Sequence, residues 1–149
     1  MCRKFWQDQR GSVLTVEFLL IAVLVLVLAF GGLDYWLVQA EMQQAEHLKN
    51  YYLDRMRVEG YLSSADEADM LDRFADAGFT VTGIEGPRES QGDPRVLRNV
   101  LDPTTSEVYL RVEAAPEVKP FLMGRLLGQG SSDFTIRVAG RALSERVDP

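Results

Sequence analysis

Between Ser12 and Leu37 the chain reads SVLTVEFLLIAVLVLVLAFGGLDYWL, and from Phe18 to Leu33 it carries no charged or strongly polar side chain. A helix needs about 20 such residues to cross the hydrocarbon core of a bilayer. A helix of a soluble protein keeps one polar face, and this stretch has none. The run therefore predicts a transmembrane helix over residues 13–38. Ahead of it, residues 1–12 form a short leader with Arg3, Lys4 and Arg10 against Asp8. Excess positive charge beside a span holds that end in the cytoplasm, which places residues 39–149 outside as a head. A rival is a secretory signal cut after Ala40, since Val38-Gln39-Ala40 resembles a small-residue cleavage site. Against it, the apolar run exceeds the 7–15 residues usual for a signal, and Asp34, Tyr35 and Trp36 suit the interfacial end of a retained span.

Beyond the membrane the helical pattern continues. Met42, Ala45, Leu48, Tyr52 and Met56 recur at spacings of three and four, and no proline intervenes before Gly60. One helix from about Val13 to Glu59 follows, with Gly60 as its stop. Ser64 and Glu67 have the spacing of a capping box, opening a short helix whose apolar face is Met70, Leu71, Phe74 and Ala77 and whose stop is Gly78. FTVTGI (Phe79–Ile84), EVYLRV (Glu107–Val112) and FTIRVAGRAL (Phe134–Leu143) alternate as strands do. Gly86–Arg95 reads as an exposed loop and Val96–Leu101 as either a short strand or a helical turn. Pro120–Leu127 reads as a short helix and GQGSSD (Gly128–Asp133) as a turn. The predicted class is α+β: a long N-terminal helix, a short helix and a small antiparallel sheet of about three strands.

Residues 39–149 hold 13 of the 16 Lys+Arg, Arg3, Lys4 and Arg10 being outside, and 19 of the 22 Asp+Glu, Asp8, Glu17 and Asp34 being outside; the net charge is -6. An acidic head is a poor surface for nucleic acid, whose phosphates need cations. The single cysteine, Cys2, precedes the apolar run, so no disulfide within the chain is expected. His47 is the only histidine, and it sits on a helix with no nucleophile motif or metal-ligand spacing near it. Asp66, Glu67, Asp69, Asp72 and Asp76 match no calcium loop and read as a solvated helix face. GQGSSD lacks the G-K-[ST] of a phosphate loop. No catalytic, cofactor or metal residue is expected, and the chain is read as a non-enzyme.

What remains is Glu17 at the head of the apolar run, where a carboxylate costs about 2.5–3.5 kcal/mol on insertion scales. A basic leader, a small residue, an immediate apolar helix and a glutamate about five residues in resemble the type IV prepilin processing site. Arg10-Gly11 and Val16-Glu17-Phe18 are most similar to TadE-like minor pilins, or pseudopilins, of tight-adherence (Flp) pilus systems. The resemblance covers about the first 40 residues. It implies cleavage by a prepilin peptidase within Gly11, Ser12 and Val13, and retention of the span in the mature subunit. It also implies a role for Glu17 in setting register by neutralising a neighbour's new terminal amine. A cut after Gly11 makes Glu17 the sixth mature residue, and a cut after Ser12 makes it the fifth; both bonds stay open. The implied partners are the peptidase, other pilin subunits, assembly machinery and lipid. The implied place is the plasma membrane or a cell-surface pilus. The alternatives are an unprocessed membrane-anchored binding domain and a secreted protein released after Ala40.

Overall fold

The computed structural model describes residues 5–120 and 134–147, with side chains from residue 14 onward. Its backbone is dominated by α1, Phe5–Glu59, 55 residues in one unbroken helix, about 80 Å at 1.5 Å per residue. The helix begins eight residues before the expected start at Val13. Phe5 to Arg10 contain neither proline nor β-branched residues, and the lone Gly11 costs about 1 kcal/mol of helix propensity, too little to break it. Cys2 and the GQGSSD turn lie outside the described residues, as does the expected short helix beyond Pro120.

At its other end α1 stops where expected. Gly60 has φ +82° and its N–H donates to the Met56 carbonyl at 2.7 Å. The chain then reverses into α2, Ser64–Asp76. Here the cap differs from expectation: Ser63, one residue earlier, accepts from the Asp66 N–H at 3.1 Å. Glu67 does not close a box with Ser64 but reaches Arg88. Two adjacent serines satisfy the same signal, and the tertiary partner of Glu67 decides between them. Gly78, at φ +82°, follows the end of α2.

Among the described residues three strands follow: β1 (Phe79–Glu85), β2 (Glu107–Pro116) and β3 (Ile136–Leu143). They form one antiparallel sheet in the order β1-β2-β3. β2 runs four residues past the expected Val112, and a bulge at Thr82 shifts register between Val81 and Gly83. Val96–Leu101 is neither strand nor helix. It is pinned by the Val96 N–H on the Gly60 carbonyl (2.8 Å) and the Arg98 N–H on the Arg146 carbonyl (2.7 Å). The Gly86–Arg95 loop is tied down by a bridge between Leu62 and Arg88 and carries a 3₁₀ turn at Glu89–Gln91.

Both helices lie on one face of the sheet. The alternating residues Val108, Leu110, Val112 and Ala114 of β2, with Ile136 and Val138 of β3, meet Ala45, Tyr52, Leu53 and Met56 of α1 and Met70 and Phe74 of α2 in one buried cluster. Leu48 is half-buried at its edge, whereas Met42 and Leu71, expected inside, are exposed. α1 comes closest at Gly140, where a Cβ would stand 2.8 Å from Leu53 Cδ2. β3 and α1 advance together, since Lys49 Nζ donates to the Ala139 carbonyl (3.0 Å) and the Glu145 N–H to the Arg57 carbonyl (2.7 Å). α2 runs back, with Arg55 against Asp66 and Tyr52 against Asp69. The start of β3 and the end of α2 therefore lie on the side of the apolar half of α1. The tip of the head is built from Gly60, residues 96–106 and 143–147.

The stop at Gly60 gives a direct test. A Cβ there would sit 2.6 Å from the Val96 carbonyl oxygen, and a left-handed backbone alone costs an L-residue about 1–2 kcal/mol. Gly60→Ala should lower the denaturant midpoint of the full chain in detergent by the equivalent of about 2 kcal/mol or more. A shift within 0.5 kcal/mol, on the order of a neutral surface substitution, contradicts this reading of the turn.

Candidate functional site: the exposed half of the long helix

Every large apolar side chain from Leu14 to Trp36 is between 44 and 73 % exposed, so no described part of the head covers this half of α1. Leaving that surface in water costs on the order of tens of kcal/mol, at about 1.5–3 per side chain. The span from Leu14 to Trp36 is roughly 34 Å, slightly more than the ~30 Å of a hydrocarbon core. By length and composition the helix can cross a membrane. Tyr35 and Trp36, 58 and 70 % exposed, mark its upper end, and the first wholly buried residue of α1 is Ala45.

Glu17 sits one helical turn into this surface. It is exposed between Val16 (59 %) and Phe18 (73 %). Its neighbours a turn away, Val13, Leu20 and Ile21, are all apolar. Among the described residues it forms no ion pair. Arg10, Gly11, Ser12 and Val13 lie in the same helix with no break between them and Glu17. Their side chains fall outside those described. The sequence motif thus lies on one continuous helix and not on a loop.

The head carries polar groups that the sequence left as a solvated face, and three of the five acids are structural. Asp66 is 5 % exposed and pairs with Arg55 at 2.8 Å. Glu67 meets Arg88 at 3.0 Å, both side chains 15 % exposed. Asp69 accepts from the Tyr52 hydroxyl at 2.7 Å and from Arg73 at 3.1 Å. Only Asp72 and Asp76 stay exposed without an ion pair among the described residues. Arg73, four residues after Asp69 on α2, is the one local signal among their partners; Arg55 and Tyr52 of α1 and Arg88 of the loop after β1 become partners only once these elements fold together. Lys49, 6 % exposed, is a further buried charge that periodicity alone did not mark. His47 is on the exposed face of α1.

A groove of about 620 Å³ opens beside the end of α1, lined among others by Tyr51, Arg55, Tyr61, Glu89 and Arg95. Several of its ionisable groups pair with one another. The Ser64 N–H (2.8 Å) and the Tyr61 hydroxyl (3.1 Å) donate to Glu89 and hold its carboxyl below the usual range. Nearby, the Tyr52 hydroxyl lowers Asp69 in the same way. Arg95 lies 4.7 Å from the Tyr61 ring centroid and donates to its hydroxyl at 2.7 Å. These interactions favour the charged forms, the opposite of what poises a carboxyl as a general acid at neutral pH. Among the described residues no three His, Cys, Asp or Glu side chains are placed to hold a metal ion. The Glu41 carboxyl is shifted upward, by burial, and its Oε2 has no hydrogen-bond partner among the described residues.

Compared with family models, curated proteins and solved structures, the chain matches none of them. The reading of its function rests on its own residues.

The pairing of Glu89 fixes an acid limb. Its folded-state pKa lies below the ordinary 4.5, so its contribution is present above that value and is lost as pH falls through the lowered one. Asp69 acts in the same sense, and Glu41, raised, in the opposite one. The urea midpoint of the full chain should therefore fall between about pH 6 and pH 3, and Glu89→Gln should make that fall shallower. An unchanged slope in the variant removes Glu89 from the acid response.

Proposed function

We propose that this protein is a TadE-like minor pilin or pseudopilin: a non-enzymatic, single-span subunit processed by a prepilin peptidase and assembled through its N-terminal helix. In this reading the leader faces the cytoplasm and the α+β head lies outside. The observation that carries the reading is Glu17, an exposed carboxylate without an ion-pair partner among the described residues, one turn into an apolar helix and preceded by Arg10-Gly11. A charge so placed needs a counter-charge that the described part of the chain does not supply. The amine freed by cleavage near Ser12 on a neighbouring copy has the right sign and the right depth, and attraction between such groups strengthens as the dielectric falls. Apolar side chains all round α1 from Leu14 to Trp36 support the same use, since lipid and then neighbouring helices can cover them in turn.

A plain anchor is the second reading, and the unbroken helix through Gly11 favours it. The two separate at Glu17. For an anchor, Glu17→Leu eases insertion by roughly 2.5–3.5 kcal/mol and costs nothing else. For an assembling subunit, Glu17→Gln leaves an unpartnered amine in an apolar bundle, and losing one member of a buried pair costs about 3–5 kcal/mol. In the native host, Glu17→Gln should still be cleaved but should accumulate in the membrane and be lost from the sheared surface fraction. Recovery there equal to wild type at equal expression contradicts the charge-pairing mechanism.

A further inference from the structure

The tip of the head presents two large apolar side chains to solvent, Val100 at 81 % and Leu101 at 96 % exposure. They are held out by a braced loop. Asn99 Oδ1 accepts the Leu101 N–H (3.0 Å) and the Asp102 N–H (3.3 Å). The Asn99 N–H donates to Ser106 Oγ (2.6 Å) and the Ser144 N–H to the Ser106 carbonyl (2.7 Å). A loop tied at both ends to show leucine and valine to water departs from the polar turn expected of a free surface. Beside them lies a cleft of about 310 Å³ lined by Arg98, Pro103 and Leu143 among others. Arg98 and Arg146, joined through their backbones at 2.7 Å, form no ion pair among the described residues, whereas the neighbouring Arg57 is taken by Glu145 and Asp54.

On α2 the complementary surface is present. Ala65, Ala68, Asp72, Ala75 and Asp76 are all exposed and, at 100° per residue, fall within about 100° of one helix face. Three alanines make a shallow bed, and Asp72 and Asp76 form no ion pair among the described residues. This face points away from Met70 and Phe74, which are buried.

We infer that the tip of one copy, Val100 and Leu101 flanked by Arg98 and Arg146, docks on the alanine and aspartate face of α2 in a second copy. Large side chains meet small ones, and two guanidinium groups meet two carboxylates, none of the four having an ion pair among the described residues. The two surfaces differ, so the contact is heterologous and propagates from copy to copy instead of closing a pair. Because α2 runs from the tip back toward the apolar half of α1, Asp76 lies about 18 Å below Ser64 along the helix. Copies at one depth in a bilayer therefore bring tip beside tip and cannot make this contact. A copy displaced outward by on the order of 10–18 Å relative to its neighbour can. The surface thus discriminates stacked subunits from subunits stored side by side. The patch is small, and it acts between copies whose spans already hold them close, where a high effective concentration makes a weak contact sufficient. The inference deepens the assembly reading and rests on it.

The test is disulfide cross-linking of the purified full chain in detergent, where no bilayer fixes a common depth, with Cys2→Ser as background. Leu101→Cys and Ala68→Cys variants should each stay monomeric on oxidation, their mixture should give dimers, and one chain carrying both should give a ladder of multimers. Arg98→Asp with Arg146→Asp in the Leu101→Cys chain should reduce the mixed dimer by about tenfold or more. Asp72→Arg with Asp76→Arg in its partner should restore it, which also shows that both variants are folded. Homodimers of the Leu101→Cys variant alone would put tip on tip and overturn the inference, as would a mixture that gives no dimer. Leader cleavage and the Glu17 phenotype are read independently, so loss of the ladder with cleavage intact refutes this contact and leaves the processed-subunit reading standing.

Discussion

The seating of the upper half of α1 on the sheet governs the rest of the head, because the same helix that forms its spine also carries the apolar span. Ala45, Tyr52, Leu53 and Met56 enter the cluster closed by Val108, Leu110, Val112 and Val138, with Gly140 allowing Leu53 and Lys49 to come within about 3 Å of where a side chain would stand. Without a Cβ at 140 the helix lies flat on β3, and Lys49 reaches past it to the Ala139 carbonyl. A lysine so placed occupies a backbone acceptor of β3, an edge strand among the described residues, a device that discourages unwanted strand pairing. The head therefore continues directly from the apolar half of α1, since the helix runs unbroken from Trp36 to Ala45.

That seating gives the polar groups of the head a consistent meaning. Arg55 with Asp66, Tyr52 with Asp69, and Arg88 with Glu67 stitch α2 and the following loop to α1. Each pairs a donor with a carboxylate across two elements, as expected of braces. Their cost in desolvation is moderated by partial exposure, and what they fix is the antiparallel return of α2. The return in turn sets where Asp72 and Asp76 stand relative to the tip.

Much of the fold was legible in the sequence because it rests on strong local signals. The uninterrupted apolar run, the spacing of Ala45, Tyr52 and Met56, the glycines at 60 and 78 and the three alternating stretches each specify an element almost alone. What failed was tertiary in origin. Met42 fits the periodicity of α1 but is exposed, one turn before the buried Ala45, and Leu71 fits that of α2 but turns outward beside Asp72. Ser63 replaced Ser64 as cap because Glu67 had a distant partner in Arg88. Val96–Leu101 could not be assigned because it has no local signal, its hydrogen bonds going to Gly60 and Arg146 far along the chain. The candidate site divides in the same way. Glu17 stood out as a lone charge in an apolar run, whereas the exposed pair Val100 and Leu101 could be recognised only after the loop that holds them was seen.

The account as a whole depends on what happens to the first turns of α1 in the cell. The most direct measurement is the N-terminal residue of the mature protein, recovered from membranes and from the cell surface of its native host. The account requires a chain beginning at Ser12 or Val13, with the apolar span retained and Glu17 near its new terminus. A chain beginning at Glu41, or one that keeps its full leader in every fraction, contradicts it.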